Sequence, residues 1–435
     1  SAVGGVVNII DNRIPREPLE GVAGKADLGA SSGNHGKGAG FMVEGGNGRV
    51  GLHADVFNRS TGDVRVPASL ACTKNGETGF ARRICNSASE VRGGAVGGSA
   101  FFDQGYLGAS VSTYRNDYGA VAEDEVTIAM QSTRHAVEGE WRNPVGWLQS
   151  IKAQASHTDY RHTEFDAGAP GTVFSNKGND FRLQARHARL GALDGVIGVQ
   201  GETTRFSAVG DEAFAPFSRT RQSAVFVHEE LTTGWGRLSF GARRESVRVQ
   251  SFGNPDVARF VPASRSFNPT SYALGALWHM APGWQLTSGL ASTRRAPKDY
   301  ELFADGPHVA TAAYELGNAA LQVERSTNAD VGLQWKGGAN SFRLNAFASR
   351  FANYIALEST GNTTDDLPEF AYRQVRARFT GLEASGNVRL LAGPQTLDLE
   401  LRGDLVRATN LNTGQPLSRI TPLRAGATLV WAQGP

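Results

Sequence analysis

The chain has 435 residues and a formal net charge of +2, so it sets up no strong field that would draw in nucleic acid. Its length would serve two or three soluble domains. No run of 18 or more apolar residues occurs, which excludes a helical membrane span. Strands remain open, because a barrel strand crosses with ~9–11 residues that alternate apolar and polar.

Neither end reads as a natural one. Ser1 is not a start, and Trp431-Ala-Gln-Gly-Pro435 stops in mid-pattern, so a fragment trimmed at both ends is expected. From the amino end, a turn at 45–49 gives way to a long polar connection over 59–89, and a turn at 103–105 to one over 116–131. The alternation continues with 142–146 and 161–180, 190–195 and 208–219, 232–236 and 251–267, 280–283 and 296–325, 336–340 and 358–369, and 391–394 and 408–421. The short connections carry the Gly, Asn, Asp or Pro that tight turns demand. In a transmembrane β-barrel, short turns face the periplasm and long loops face outside, so the pattern assigns a side to every connection.

The segments between alternate. After Trp147, Ile151, Ala153 and Ala155 share one face, and Lys152, Gln154, Ser156 and Thr158 the other. Phe342, Leu344 and Ala346 alternate with Arg343, Asn345 and Ser349 in the same way. A water-soluble sandwich also alternates, but with shorter strands and without gathering its long loops on one side. The segments number about 18, too many for one twisted open sheet, and closure removes the exposed edges. The fold class expected is all-β, an antiparallel up-and-down transmembrane barrel.

Cys72 and Cys85 form a close, isolated pair in the polar 59–89 stretch, which suggests a disulfide and an oxidising compartment; two unrelated thiols are the alternative. No catalytic arrangement stands out, and no enzyme is expected. Neither G-x-S-x-G nor H-E-x-x-H occurs. His228-Glu-Glu230 falls on a strand, and the glycines of 93–98 read as small residues on a tightly packed strand.

Two stretches carry a family resemblance. Ala2-Val-Gly-Gly-Val-Val-Asn-Ile9 resembles the segment that ends the plug of TonB-dependent outer-membrane receptors. Tyr314-Glu-Leu-Gly-Asn318, followed by Leu321, Glu324, Ser326 and Asn328, resembles a second signature of that superfamily. Within it, Glu301-Leu-Phe-Ala-Asp-Gly-Pro-His-Val-Ala-Thr311, the strand over 347–355 and the cysteine-closed early loop are similar to ZnuD-type zinc receptors. The resemblance implies a barrel of 22 strands around a plug. Residues 1–15 would then be the end of the plug, and 16–435 a barrel lacking its last strands. It implies active import of zinc across the Gram-negative outer membrane by a monomer. The partners would be TonB with its inner-membrane energising complex, outer-membrane lipid and lipopolysaccharide. A haem or iron-siderophore receptor is the alternative, for which Arg294, Arg295, Tyr300 and Tyr314 stand at loop edges. A passive porin would give no reason for Ala2–Ile9.

A zinc importer needs roughly four nitrogen and oxygen ligands that also release the ion. The resemblance implies a ligand at His308, beside Asp305, and a carboxylate sharing the ion at Glu212, beside Asp211. A loop histidine bonding locally to backbone and a solvated acidic pair are the plainer readings. A second candidate comes from the residues themselves, His157, Asp159, His162, Glu164 and Asp166 at the outer end of one strand. If that strand continues, His162 and Glu164 share the lumen face with Lys152, Gln154 and Ser156. A polar outer rim is the alternative. His53, His187, His228 and His279 read as wall or rim residues.

Overall fold

The computed structural model describes residues 10–434 except 75, 211, 212, 309 and 310. Its elements are β1 (Glu20–Ser31), β2 (Gly36–Asn47), β3 (Val50–Thr61), β4 (Arg65–Lys74), β5 (Glu77–Arg83), β6 (Ser89–Phe102), β7 (Gly105–Gly119) and β8 (Val126–Val145). There follow β9 (Leu148–Asp166), β10 (Ala169–His187), β11 (Leu193–Val209), β12 (Ser218–Thr233), β13 (Gly236–Phe252), β14 (Pro262–Phe267), β15 (Thr270–Ala281) and β16 (Trp284–Arg295). Helix α1 (Asp299–Phe303) precedes β17 (Asp305–His308), β18 (Ala313–Leu316), β19 (Glu324–Gly337), β20 (Asn340–Thr364), β21 (Leu367–Leu391), β22 (Gln395–Asn410) and β23 (Arg424–Gln433).

One sheet of 21 strands forms the wall, and β4–β5 stand apart as a hairpin. Within it, β17 and β18 belong to an inward-folded segment, and β14 and β15 share one wall position against β13. That leaves 18 wall strands, as the alternation predicts. Wall neighbours are antiparallel; the parallel pairing is β18 on the outer end of β21.

The wall is inside-out relative to a soluble protein. Val22, Leu28 and Ile197 are 82%, 79% and 62% exposed on its outer surface, while Glu138, Lys152 and Gln154 meet on the inner one. So much outward apolar surface is stable only against lipid. All seven tryptophans lie at the ends of strands nearest the short turns. Trp141 and Trp147 flank the β8–β9 turn, Trp235 stacks on Trp278 at 5.6 Å, Trp284 lies 6.2 Å from Trp335, and Trp431 sits near the end of β23. Amphipathic indoles settle at the membrane–water boundary, so these mark the periplasmic rim.

Residues 10–19 enter through the lumen. Ile14 is buried, Arg13 Nε reaches Asp55 at 3.4 Å, and Arg16 Nε donates to Glu138 at 2.7 Å. The expected plug end, Ala2–Ile9, lies outside the described residues.

Several stretches expected as long loops are strand instead. β9 and β10 run through 161–180 to a turn at Ala167 and Gly168, and β20 and β21, 25 residues each, run through 358–369 to a turn at Asp365 and Asp366. Here the hairpins rise above the lipid. Neither face is covered by acyl chains, so the apolar–polar alternation that marks a strand is lost. The alternation of connection lengths also has an exception: β1 and β2 are joined on the outer side by only 32–35. In the 59–89 stretch, Cys72 of β4 is bonded to Cys85, which follows β5.

Candidate functional site

The stretch 296–325, expected as an outer loop, folds into the mouth of the barrel. Leu302 and Leu321 pack with Val247, Val249, Phe267 and Ile355 of the wall. Arg295 holds the segment's two ends together, bonding Glu301 at 2.8 and 3.1 Å and Glu324 at 3.1 and 3.2 Å. The β17–β18 hairpin then reaches the connections beside β12 and β13. Asp305 N donates to Phe214 O at 2.8 Å, and Arg259 Nη2 donates to Ala213 O at 3.0 Å. Gly306 is required at this contact, because a Cβ there would meet Arg259 Nη2 at 2.7 Å and Ala213 O at 2.8 Å.

His308 ends β17 and faces the lumen. Its ring lies flat on Phe214, centroids 4.3 Å apart and planes 5° off parallel. Its Nδ1 is 2.9 Å from Glu315 Oε1, and Tyr372 Oη donates to Glu315 Oε2 at 3.0 Å. Burial works to raise the Glu315 carboxyl, but the bonds from His308 and Tyr372 outweigh it and hold the group below the usual carboxylate range. The Glu315 carboxylate therefore accepts a hydrogen bond from Nδ1–H of His308 and leaves Nε2 as the lone-pair donor.

Because β9 continues to Asp166, His162 and Glu164 do face the lumen together, with Nε2 of His162 3.9 Å from Glu164. His162 stacks on Phe174 at 4.5 Å, and Phe174 lies 6.1 Å from Phe214. The two histidines thus bracket a phenylalanine pair set in an apolar pocket with Phe206 and Phe260. The His162 imidazole is pushed down to about 4, first by burial and then by the neighbouring His308. Lowered below its unfolded value near 6.5, it favours the fold above that pH, and the advantage is lost as pH falls from 6.5 toward 4. An imidazole titration by NMR should give a midpoint near 4; a midpoint near 6.5 would mean the pocket is open to water.

The other expected ligands are dispersed. His157 points to the outer surface of the wall, bonded to Asn179 at 2.9 Å, and Asp159 beside it pairs with Lys177 at 3.2 Å. Asp166 is exposed at the tip of β9. The run 157–166 is therefore divided between two faces. Asp305 accepts from Tyr314 Oη at 2.9 Å instead of joining His308. Asp211 and Glu212 lie outside the described residues; Ala213 and Phe214, next in the chain, pack against the hairpin that carries His308. Among the described residues no three His, Cys, Asp or Glu side chains converge on one point. Of the residues that would suit a siderophore, Arg294 faces outward and Arg295 is committed to Glu301 and Glu324. Sequence reasoning missed Glu315, Phe174 and Phe214; Glu315 lay within the Tyr314–Asn318 signature.

The fold is shared with solved outer-membrane proteins. The copper transporter OprC superposes with a TM-score of 0.79 at 16% identity, over 96% of this chain and 66% of that one. The FrpB iron transporter of Neisseria meningitidis gives 0.67 at 10% identity, over 91% and 62%. The Serratia marcescens hemophore receptor HasR gives 0.67 at 15%, over 89% and 63%. Identities this low establish the fold alone, and the chain spans less than two thirds of each of these proteins. A hemoglobin-haptoglobin utilization protein B of Neisseria meningitidis is 29% identical over 96 residues, 22% of this chain and 12% of that protein. Residues 81–435 match the family described as TonB dependent receptor-like, beta-barrel. With its lipid-facing wall, tryptophan rim and that match over most of its length, the chain belongs to the TonB-dependent receptor β-barrels of the Gram-negative outer membrane.

Proposed function

We propose that this barrel serves TonB-energised import of a metal cargo across the outer membrane, with zinc as that cargo. The observation that carries the reading is His308, set at the tip of a hairpin in the barrel mouth with Glu315 on its Nδ1. A carboxylate on the far nitrogen is the usual means of orienting a metal-binding imidazole. The barrel would contribute His308 and, from the neighbouring segment, Glu212; the plug would supply the remaining ligands. TonB would act on the plug, leaving the wall as a rigid frame. A second reading has its own support: the His162–Phe174–Phe214–His308 stack offers apolar surface flanked by two imidazoles, which suits haem. Calorimetry on the full-length receptor tests both. Zinc bound by wild type and lost in His308→Ala and Glu212→Ala supports the first reading. Haem bound, with its absorbance changed in His308→Ala or His162→Ala and no zinc uptake, supports the second and overturns the first.

A further inference from the structure

Two histidines meet on the lipid side of the wall, away from the lumen. His135 of β8 and His157 of β9 are direct cross-strand partners, and both are exposed. His135 lies in step with the outward Val137, and His157 with Ala153 and Ala155, so strand parity turns both side chains outward. On its other side His157 is partnered by Asn179 of β10, in step with the outward Phe181. These three residues make a polar row in a shallow outward hollow of about 1200 Å³, floored by Ala109, Ala155 and Gly201 and edged by Val111, Val137 and Phe181.

The row stands at a definite height. His135 lies ten residues from Val145 at the end of β8, and His157 nine from Leu148 at the start of β9. A strand crosses the hydrocarbon in ~9–11 residues, so the pair sits where the outer leaflet gives way to water and ions reach it from outside.

The local bonding prepares the rings as ligands. Asn179 Oδ1 is 2.9 Å from Nδ1 of His157. An amide oxygen accepts and does not donate, so Nδ1 carries the proton and Nε2 the lone pair. Holding the far nitrogen in this way orients a metal-binding imidazole. His135 has no hydrogen-bond or ion-pair partner among the described residues, and its ring is free to turn toward its neighbour. Cβ atoms of direct cross-strand partners stand ~4.5–5.5 Å apart, which lets two imidazoles converge on one ion at ~2.0–2.1 Å each. The next outward carboxylate, Asp159, is held by Lys177 at 3.2 Å. The chain therefore provides two nitrogens, and water completes the shell.

We propose that His135 and His157 form a metal site of their own on the outer wall, for a borderline divalent transition-metal ion. Two imidazoles and water suit Cu²⁺, Ni²⁺ and Zn²⁺, with copper bound tightest. Mg²⁺ and Ca²⁺, which take oxygen ligands, are excluded. The bound ion ties β8 to β9. The site is separate from His308 and does not depend on what the barrel imports.

The test uses full-length receptor in neutral detergent, carrying His308→Ala to remove the imidazole at the mouth, with Cu²⁺ added up to one equivalent. Calorimetry gives the affinity, and electron paramagnetic resonance counts the nitrogens on copper. With the pair intact, the spectrum should show two imidazole nitrogens. Asn179→Ala should keep both nitrogens and bind about tenfold more weakly. His135→Gln and His157→Gln should each leave one nitrogen and bind more weakly still. Without metal, all these proteins should melt at the same temperature, which shows that the variants fold; with Cu²⁺, the intact pair should gain stability over the two histidine variants. An unchanged affinity and spectrum in His135→Gln overturns the proposal, as does a single nitrogen on copper when the pair is intact.

Discussion

Arg295→Ala is expected to undock the inward-folded segment and to destabilise the mouth of the barrel by about 3–5 kcal/mol. The side chain of Arg295 is 19% exposed and faces Glu301 at 9% and Glu324 at 3%. Glu324 also accepts Ile355 N at 2.8 Å, and Glu301 accepts Lys298 N at 2.7 Å. Removing the guanidinium leaves two carboxylates facing one another out of water, the situation in which a broken buried pair costs most. Leu302 and Leu321, packed on the wall on either side, would lose their seat with it. Limited proteolysis of the full-length receptor should cut within 296–323 in the variant and spare wild type. The triple change Arg295→Met/Glu301→Gln/Glu324→Gln should recover most of the protection, because it removes the charges as well as the partner. Equal protection in Arg295→Ala and wild type would mean that apolar packing alone holds the segment.

On the proposed zinc reading, Glu315→Gln is expected to weaken zinc binding about 10–100-fold, short of the complete loss expected for His308→Ala. The substitution keeps the volume and the bond from Tyr372 but offers Nδ1 of His308 a weaker acceptor. The imidazole then divides between tautomers, and part of the population turns a proton, not a lone pair, toward the lumen. Calorimetry gives the affinity, and nitrogen NMR shifts of His308 give the tautomer. A fully Nδ1-protonated ring in wild type and a mixture in Glu315→Gln would separate orientation from loss of fold. Loss of zinc in His308→Ala with none in Glu315→Gln would retain the ligand and discard the role of Glu315.

The parts of the fold that touch lipid were legible in the sequence. Strands such as β9 alternate because acyl chains cover one face and water the other, and the turns between them need Gly, Asn, Asp or Pro. Above the membrane that contrast ends, so the upper halves of β20 and β21 read as loop. The inward segment was hidden for a different reason. Nothing in the sequence joins Arg295, Glu301 and Glu324, and only their convergence from separate elements shows that they are buried together. The site was half visible: His308 stands in a recognisable stretch, and Glu315 lies close behind it, but a hairpin must form before the two meet. Phe174 and Phe214 come from distant strands, and no local pattern links them to a histidine.

The tryptophan rim has a consequence for how this protein can be observed. The seven indoles described above sit at the periplasmic end, a full membrane thickness of ~25 Å from the pocket around His308. Emission from these indoles will therefore respond little to a metal ion arriving at the mouth, and a flat titration by their signal carries no information about its affinity. The same emission is instead a depth gauge: lipids brominated at chosen positions should quench it most from the inner leaflet, reporting how the barrel sits in the bilayer and in which direction it was inserted.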